Sequence, residues 1–148
     1  MIEITVKTYS ELTKDNLYDM FQLRSEVFVV EQDCVYQDID GKDKKALHVL
    51  GYKNNELVAY TRIFKPGDYF EESSIGRVVV REKERKFKYG YDIMRASVEA
   101  IKTHYNTNLI KISAQTYLKR FYNNLGFNKV GEEYLEDNIP HVAMLYRE

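Results

Sequence analysis

Between Arg81 and Gly90 the chain reads REKERKFKYG, with Arg81, Lys83, Arg85, Lys86 and Lys88 set against Glu82 and Glu84. The run ends where apolar residues begin to recur at helical spacing, so Gly90 stands at a predicted helix start. The first turn of a helix has N–H groups without intrahelical partners and carries the positive end of the peptide dipole. Beside basic side chains, such a start suits a phosphate or pyrophosphate. A glycine there lets another group approach the backbone where a Cβ would intrude. Charge and spacing alone fit a solvated basic turn equally well. Neither G-x-x-x-x-G-K-[S/T] nor G-x-G-x-x-G occurs in the chain, which argues against P-loop and dinucleotide folds.

Other reactive side chains are sparse. Three histidines and one cysteine, Cys34, lack the spacing of a metal site. Asp38-Ile39-Asp40-Gly41 lacks the rest of a calcium loop, so no metal is expected. Cys34 has no base at a telling distance in sequence and reads as an incidental thiol.

The elements that must position these residues follow from periodicity. IEITVK alternates as a half-buried strand, and Leu17, Met20, Phe21, Arg24, Val27 and Phe28 recur as a helix running to about Val29. EQDCVYQDIDGKDKK reads as a long loop. ALHVLGYK and ELVAYTRIF are strands joined by Asn-Asn, a hairpin signal. IGRVVV has the apolar run of a buried central strand. Met94, Ser97, Val98, Ile101 and Tyr105 mark one face of the helix after Gly90. LIKISA is a strand, TYLKRFYNNLGF a short helix ending near Gly126, and the chain closes with two strands around a turn. Strand, helix, three strands, helix, strand, helix and two strands predict an α/β or α+β mixed sheet.

At 148 residues the chain is long enough for one domain, 1–148, with its own core. A net charge of −1 provides no global field for nucleic acid, so none is expected as a partner. No apolar run approaches the roughly 20 residues of a membrane span, and the N-terminus lacks a signal-peptide core. With one cysteine, a reducing compartment is expected, and the cytoplasm is the predicted address.

GRVVVREKERKFKYGYDIMRASV followed by ISAQTYLKRFYNNLGF resembles the GNAT superfamily of N-acetyltransferases. LRSEVFVVEQDCVYQDIDGKD, ALHVLGY, AYTRI and IPHVAMLYR extend the resemblance over nearly the whole chain, to the small ElaA-type branch. Arg85 and Gly90 match the ends of the superfamily's pyrophosphate loop, Arg/Gln-x-x-Gly-x-Gly/Ala, while Lys88 stands at its first glycine. The resemblance implies a mixed sheet of about six to seven strands flanked by helices, splayed between the fourth and fifth. It implies acetyl-CoA as co-substrate, with Val78, Val79 and Val80 along the pantetheine and Arg85, Lys86, Lys88, Tyr89, Gly90 and Tyr91 around the pyrophosphate.

The implied reaction is direct acyl transfer to an amine in a ternary complex. Tyr122 matches the tyrosine that lies near the cofactor sulfur in many relatives and would assist the leaving thiolate. A lysine-like amine, with a pKa near 10.4, must also lose a proton before it attacks. Many relatives use a carboxylate on the central strand, where this chain has Gly76 and Arg77. Glu31, Asp38, Asp40, His48 and His141 are the alternatives, with Glu31 and His141 foremost. Gln32 would orient the acceptor, and Arg77 would pair with these acids or bind an anionic group. A non-catalytic acyl-CoA binding or sensing module is the alternative function, and an interaction domain without a CoA site a third. Relatives that pair through sheet edges make a homodimer one expected assembly.

Overall fold

The computed structural model describes residues 1–147. Alternating Ile4 and Val6 place one face of β1 (Glu3–Thr8) on the core. Thr13 starts α1 (Lys14–Arg24) by accepting the Asn16 N–H at 3.0 Å, while the Asn16 side chain accepts the Thr13 N–H in return. The predicted helix runs past Val29, as a π-helical stretch over Ser25–Glu31 that closes with Gln32 N–H donating to the Val27 carbonyl. Widened turns of this kind are concentrated at functional sites, and this one faces the cavity described below.

β2 (Leu47–Lys53) and β3 (Glu56–Phe64) form the predicted hairpin. Its turn residues Asn54 and Asn55 have φ of 52° and 64°, the left-handed pair of a type I′ turn. β4 (Ser73–Val80) follows, then a short 3₁₀ segment over Glu82–Phe87 and α2 (Tyr89–Tyr105). β5 (Ile110–Gln115), α3 (Lys119–Asn124), β6 (Phe127–Glu136) and β7 (Ile139–Tyr146) complete the fold. The seven strands form one sheet in the order β1-β2-β3-β4-β5-β7-β6. Ile93, Met94, Val98 and Ile101 of α2 cover one face, and Met20, Leu23 and Val27 cover the other. No described helix is long and apolar enough to cross a membrane.

The sheet is continuous except at its centre. β4 and β5 run parallel and pair only at Ser73–Ile110 and Ser74–Lys111. Beyond those rungs the strands diverge, which is the expected splay. An extra residue on β4 accompanies it: Tyr60 faces Val79 and Arg62 faces Gly76, so Thr61 opposes both Arg77 and Val78. Arg77 takes this bulge at φ 50°, a conformation usually left to glycine.

A buried charge lattice fixes the loop between the π-helix and β2. Arg24, fully buried, pairs with Asp38 at 2.9 Å and Asp43 at 2.7 Å. Arg62 pairs with Asp40 at 2.8 Å and Asp43 at 3.1 Å, and Arg77 reaches Asp38 at 2.7 Å. His48 bonds Tyr60 Oη at 2.6 Å and the Asp43 carbonyl at 2.9 Å. Three guanidinium and three carboxylate groups thus balance in a largely buried cluster.

Removing one member of such a set leaves a charge buried without a partner, at a cost of about 3–5 kcal/mol. Asp43→Ala is therefore expected to lower Tm by about 10 °C in a thermal melt. Burial holds the His48 pKa below its ordinary 6.5, so its share of stability is complete above that value and fades as pH falls. Arginine partners hold Asp40 and Asp43, despite the opposing effect of burial, below their ordinary 3.8. Their share is complete above that value and is lost as pH falls further. Tm measured against pH should decline gently below about 6.5 and steeply below about 4.

Candidate active site

The divergence of β4 from β5 opens a cavity of about 480 Å³. β4 supplies Gly76 to Val80, the π-helix Val27, Phe28 and Glu31, and α3 Phe121 and Tyr122. On the β4 side facing the gap, residues 76–80 have no strand partner, since β5 pairs only at Ser73 and Ser74. Their backbone edge is a ready cradle for an extended ligand with amide groups.

At one end lie Arg85, Lys88, Gly90 and Tyr91. Lys88 links the 3₁₀ segment to α2 with φ 61°, its N–H donating to the Arg85 carbonyl and its own carbonyl accepting from Tyr91, each at 3.1 Å. The position demands a left-handed residue, and Lys88 meets that demand without being glycine. Gly90 serves packing: a Cβ there would sit 3.2 Å from the Phe121 ring, which also lines the cavity. Arg85 donates from Nε to the Val80 carbonyl at 3.0 Å, and its two terminal nitrogens hold both Glu31 oxygens at 2.6 and 2.8 Å. Lys86 and Tyr89 do not line the cavity. Lys86 is exposed, and Tyr89 is buried in the core with Lys53 over its ring.

Tyr122 lines the cavity from α3 and is only 6% exposed. Burial pushes its phenol well above the usual 10, so the hydroxyl keeps its proton. No described residue hydrogen-bonds that hydroxyl, although rings of Phe121 and Phe127 fix the side chain edge-on.

His141, Gln32, Arg77 and Glu136 line the same cavity. His141, 6% exposed, places Nδ1 2.7 Å from the Ile139 carbonyl. A carbonyl can only accept, so Nδ1 carries the proton and Nε2 keeps the lone pair of the neutral ring. Gln32 meets Gln115 of β5 at 3.5 Å, bringing the π-helix end to the strand on the far side of the gap. Arg77 is held by Asp38 and Asp40, with its guanidinium over Tyr36.

The structure thus gathers Tyr122, His141, Glu31, Gln32, Arg77, residues 78–80 and Arg85, Lys88, Gly90 and Tyr91 around one cavity. Asp38, Asp40 and His48, considered as bases from sequence, belong to the arginine lattice instead. Glu136, Tyr36 and Phe121 were not singled out by sequence reasoning. The only hint of Glu136 was its place just before the β6–β7 turn. Among the described residues, no group of three or more His, Cys, Asp or Glu side chains is arranged to hold a metal.

The model of the acetyltransferase (GNAT) domain matches residues 7–147. The chain belongs to the GNAT acetyltransferase family. Protein ElaA of Escherichia coli is 47% identical over 146 residues, covering 97% of this chain and 95% of that one. The crystal structure of Escherichia coli ElaA superposes with a TM-score of 0.92 at 45% identity, covering 99% of this chain and 100% of that one. An acyl-CoA N-acyltransferase from Pseudomonas aeruginosa superposes with a TM-score of 0.90 at 37% identity, covering 97% and 99%. This GNAT chain therefore sits in the ElaA-type branch, with the acyl-CoA N-acyltransferase fold.

The branch assignment makes Lys88 informative, because the family pattern has glycine there. A left-handed non-glycine costs about 1 kcal/mol. Glycine returns a similar amount, about 0.4–1 kcal/mol, as unfolded-chain entropy. Lys88→Gly should therefore melt within a few degrees of the parent chain. If the ammonium contacts the pyrophosphate, that variant binds CoA about two- to fivefold more weakly by calorimetry. Unchanged affinity would assign the work to the backbone alone.

Proposed function

We propose that the protein transfers an acetyl group from acetyl-CoA directly to an amine, within a ternary complex. One observation carries this reading: the unpaired edge of β4, the basic start of α2 and His141 all line one cavity. Residues 78–80 offer backbone groups to a pantetheine arm, and the first N–H groups of α2, at Tyr89 and Gly90, offer donors to a pyrophosphate. Arg85, Lys86 and Tyr89 support that loop, Arg85 through its charge and Tyr89 by anchoring α2 in the core. Acyl-CoA, when bound, supplies the activated acyl carbon as a thioester.

The protein's own task is proton management. An alkylamine is protonated near neutrality, and only its neutral form attacks. His141 Nε2 is the base this geometry favours, since Glu31 is engaged by both terminal nitrogens of Arg85. Glu31 instead holds Arg85 and the π-helix in register. On the leaving side, a thiol titrates near about 8.5, so its thiolate leaves readily and Tyr122 helps by donating its retained proton. Gln32, with Gln115 beside it, orients the acceptor in this reading. Arg77, already paired with aspartates, fixes the bulge and wall of the acceptor side rather than binding a free anion. We place the reaction in the cytoplasm, in keeping with a chain that has a single cysteine.

Thiol release from acetyl-CoA should depend on added amine. His141→Asn should lower kcat by about 10²- to 10⁴-fold, the usual worth of a general base, with CoA affinity unchanged. Tyr122→Phe should lower kcat more modestly. Stabilisation by CoA with no amine-dependent release across alkylamines, amino acids and peptides would instead indicate a binding module.

A further inference from the structure

Four carboxylates on or behind the acceptor wall, Glu31, Asp38, Asp40 and Asp43, are each paired with arginine. Glu136, which lines the same cavity from the end of β6, has no lysine or arginine partner among the described residues. Its Oε1 accepts from Ser113 Oγ at 3.1 Å, which turns Oε2 toward β7. There Oε2 lies 3.7 Å from His141 Nε2. That gap is too long for a direct hydrogen bond, and one nitrogen can sit within about 3 Å of both atoms. The imidazole is fixed on its other sides by the Ile139 carbonyl and by the Tyr134 ring, stacked at 6.2 Å and 22°. Tyr134 is itself hydrogen-bonded to Ser113, so one serine orders both neighbours of the imidazole. Asp137 also lines the cavity beside Glu136, adding a second negative charge at the same mouth.

We propose that Glu136 and His141 form an ammonium clamp, through which the enzyme takes up its acceptor as the protonated primary amine. This rests on the acyltransferase reading above and deepens it by naming the acceptor's charge state and a further catalytic residue. Glu136 Oε2 and His141 Nε2 each accept one N–H of the ammonium. The Nε2 lone pair then removes one proton, leaving a neutral amine and an imidazolium that faces the Glu136 carboxylate. As the new N–C bond forms, the thioester C–S bond breaks with its electron pair on sulfur. Tyr122 delivers a proton to the sulfur and regains one from the nitrogen that has become an amide. The imidazolium proton leaves to solvent. The balance is one ammonium and one acyl thioester in, and one amide, one thiol and one proton out. Such a clamp selects against acceptors that arrive neutral, because nothing then compensates Glu136.

The test compares a primary alkylamine with an alkoxyamine of the same length, whose weakly basic nitrogen is neutral at neutral pH. Thiol release is followed with the full-length chain at saturating acetyl-CoA. Glu136→Gln should lower kcat/KM for the alkylamine by about 10- to 100-fold, the loss of a charge-assisted bond, mainly through KM. It should change the alkoxyamine rate by less than about threefold, since no cation is lost there. Glu136→Asp, which keeps the charge, should recover part of the alkylamine rate. Equal losses for both acceptors, or no loss for either, would overturn the clamp. Melting temperature and CoA affinity of each variant separate misfolding from a lost contact. Release by the parent chain that needs no amine, or no release with any acceptor, would instead refute acyl transfer itself.

Discussion

Everything in this fold turns on two parallel strands that pair for two rungs and then separate. A parallel pair left open in a sheet centre exposes N–H and C=O groups that must find partners in water or in a ligand. The cost of that exposure is tolerated because the bulge at Arg77 directs β4 away from β5, and the elements on either side close over the gap. On one face the 3₁₀ segment and the start of α2 cap the opening with N–H donors; on the other the π-helix ends in Glu31 and Gln32. The cavity is therefore a property of the sheet, and its chemistry is a property of what reaches the edge.

The arginine–aspartate lattice keeps that edge in place. Arg24, Arg62 and Arg77 come from α1, β3 and β4, and all three converge on one loop through Asp38, Asp40 and Asp43. A loop of this polarity has little apolar surface with which to hold itself down, so paired charges do the holding. Because Arg77 is both the bulge residue and a lattice member, the bend of β4 and this wall of the cavity are one mechanical unit. The Arg85–Glu31 pair makes a similar link, joining the basic turn before α2 to the π-helix.

The local elements were legible in the sequence because local chemistry determines them. The Asn54–Asn55 turn, the α2 stripe through Met94, Ser97, Val98 and Ile101, and the left-handed Gly126 at φ 98° each follow from residue type and spacing. Features made by distant partners were not. Nothing in IGRVVV announces that Arg77 will adopt a left-handed φ, since the bulge arises from its register with β3. Asp38 and Asp40 read from sequence as candidate bases, with Arg77 one possible partner; that Arg24 and Arg62 also converge on this loop was not legible. Glu136 gains meaning only when the closing hairpin sets it beside His141. Lys88 was legible as an exception, and its φ of 61° explains why the family pattern has glycine at that place.

The open edge of β4 and the basic start of α2 together form the proposed acyl-CoA site. Amide hydrogen exchange with and without CoA, read residue by residue, tests it most directly. Slowed exchange is expected at residues 78–80 and 88–91, with the paired strands β1 to β3 unchanged. Protection absent from both segments at saturating CoA, or confined to some other surface, would contradict it.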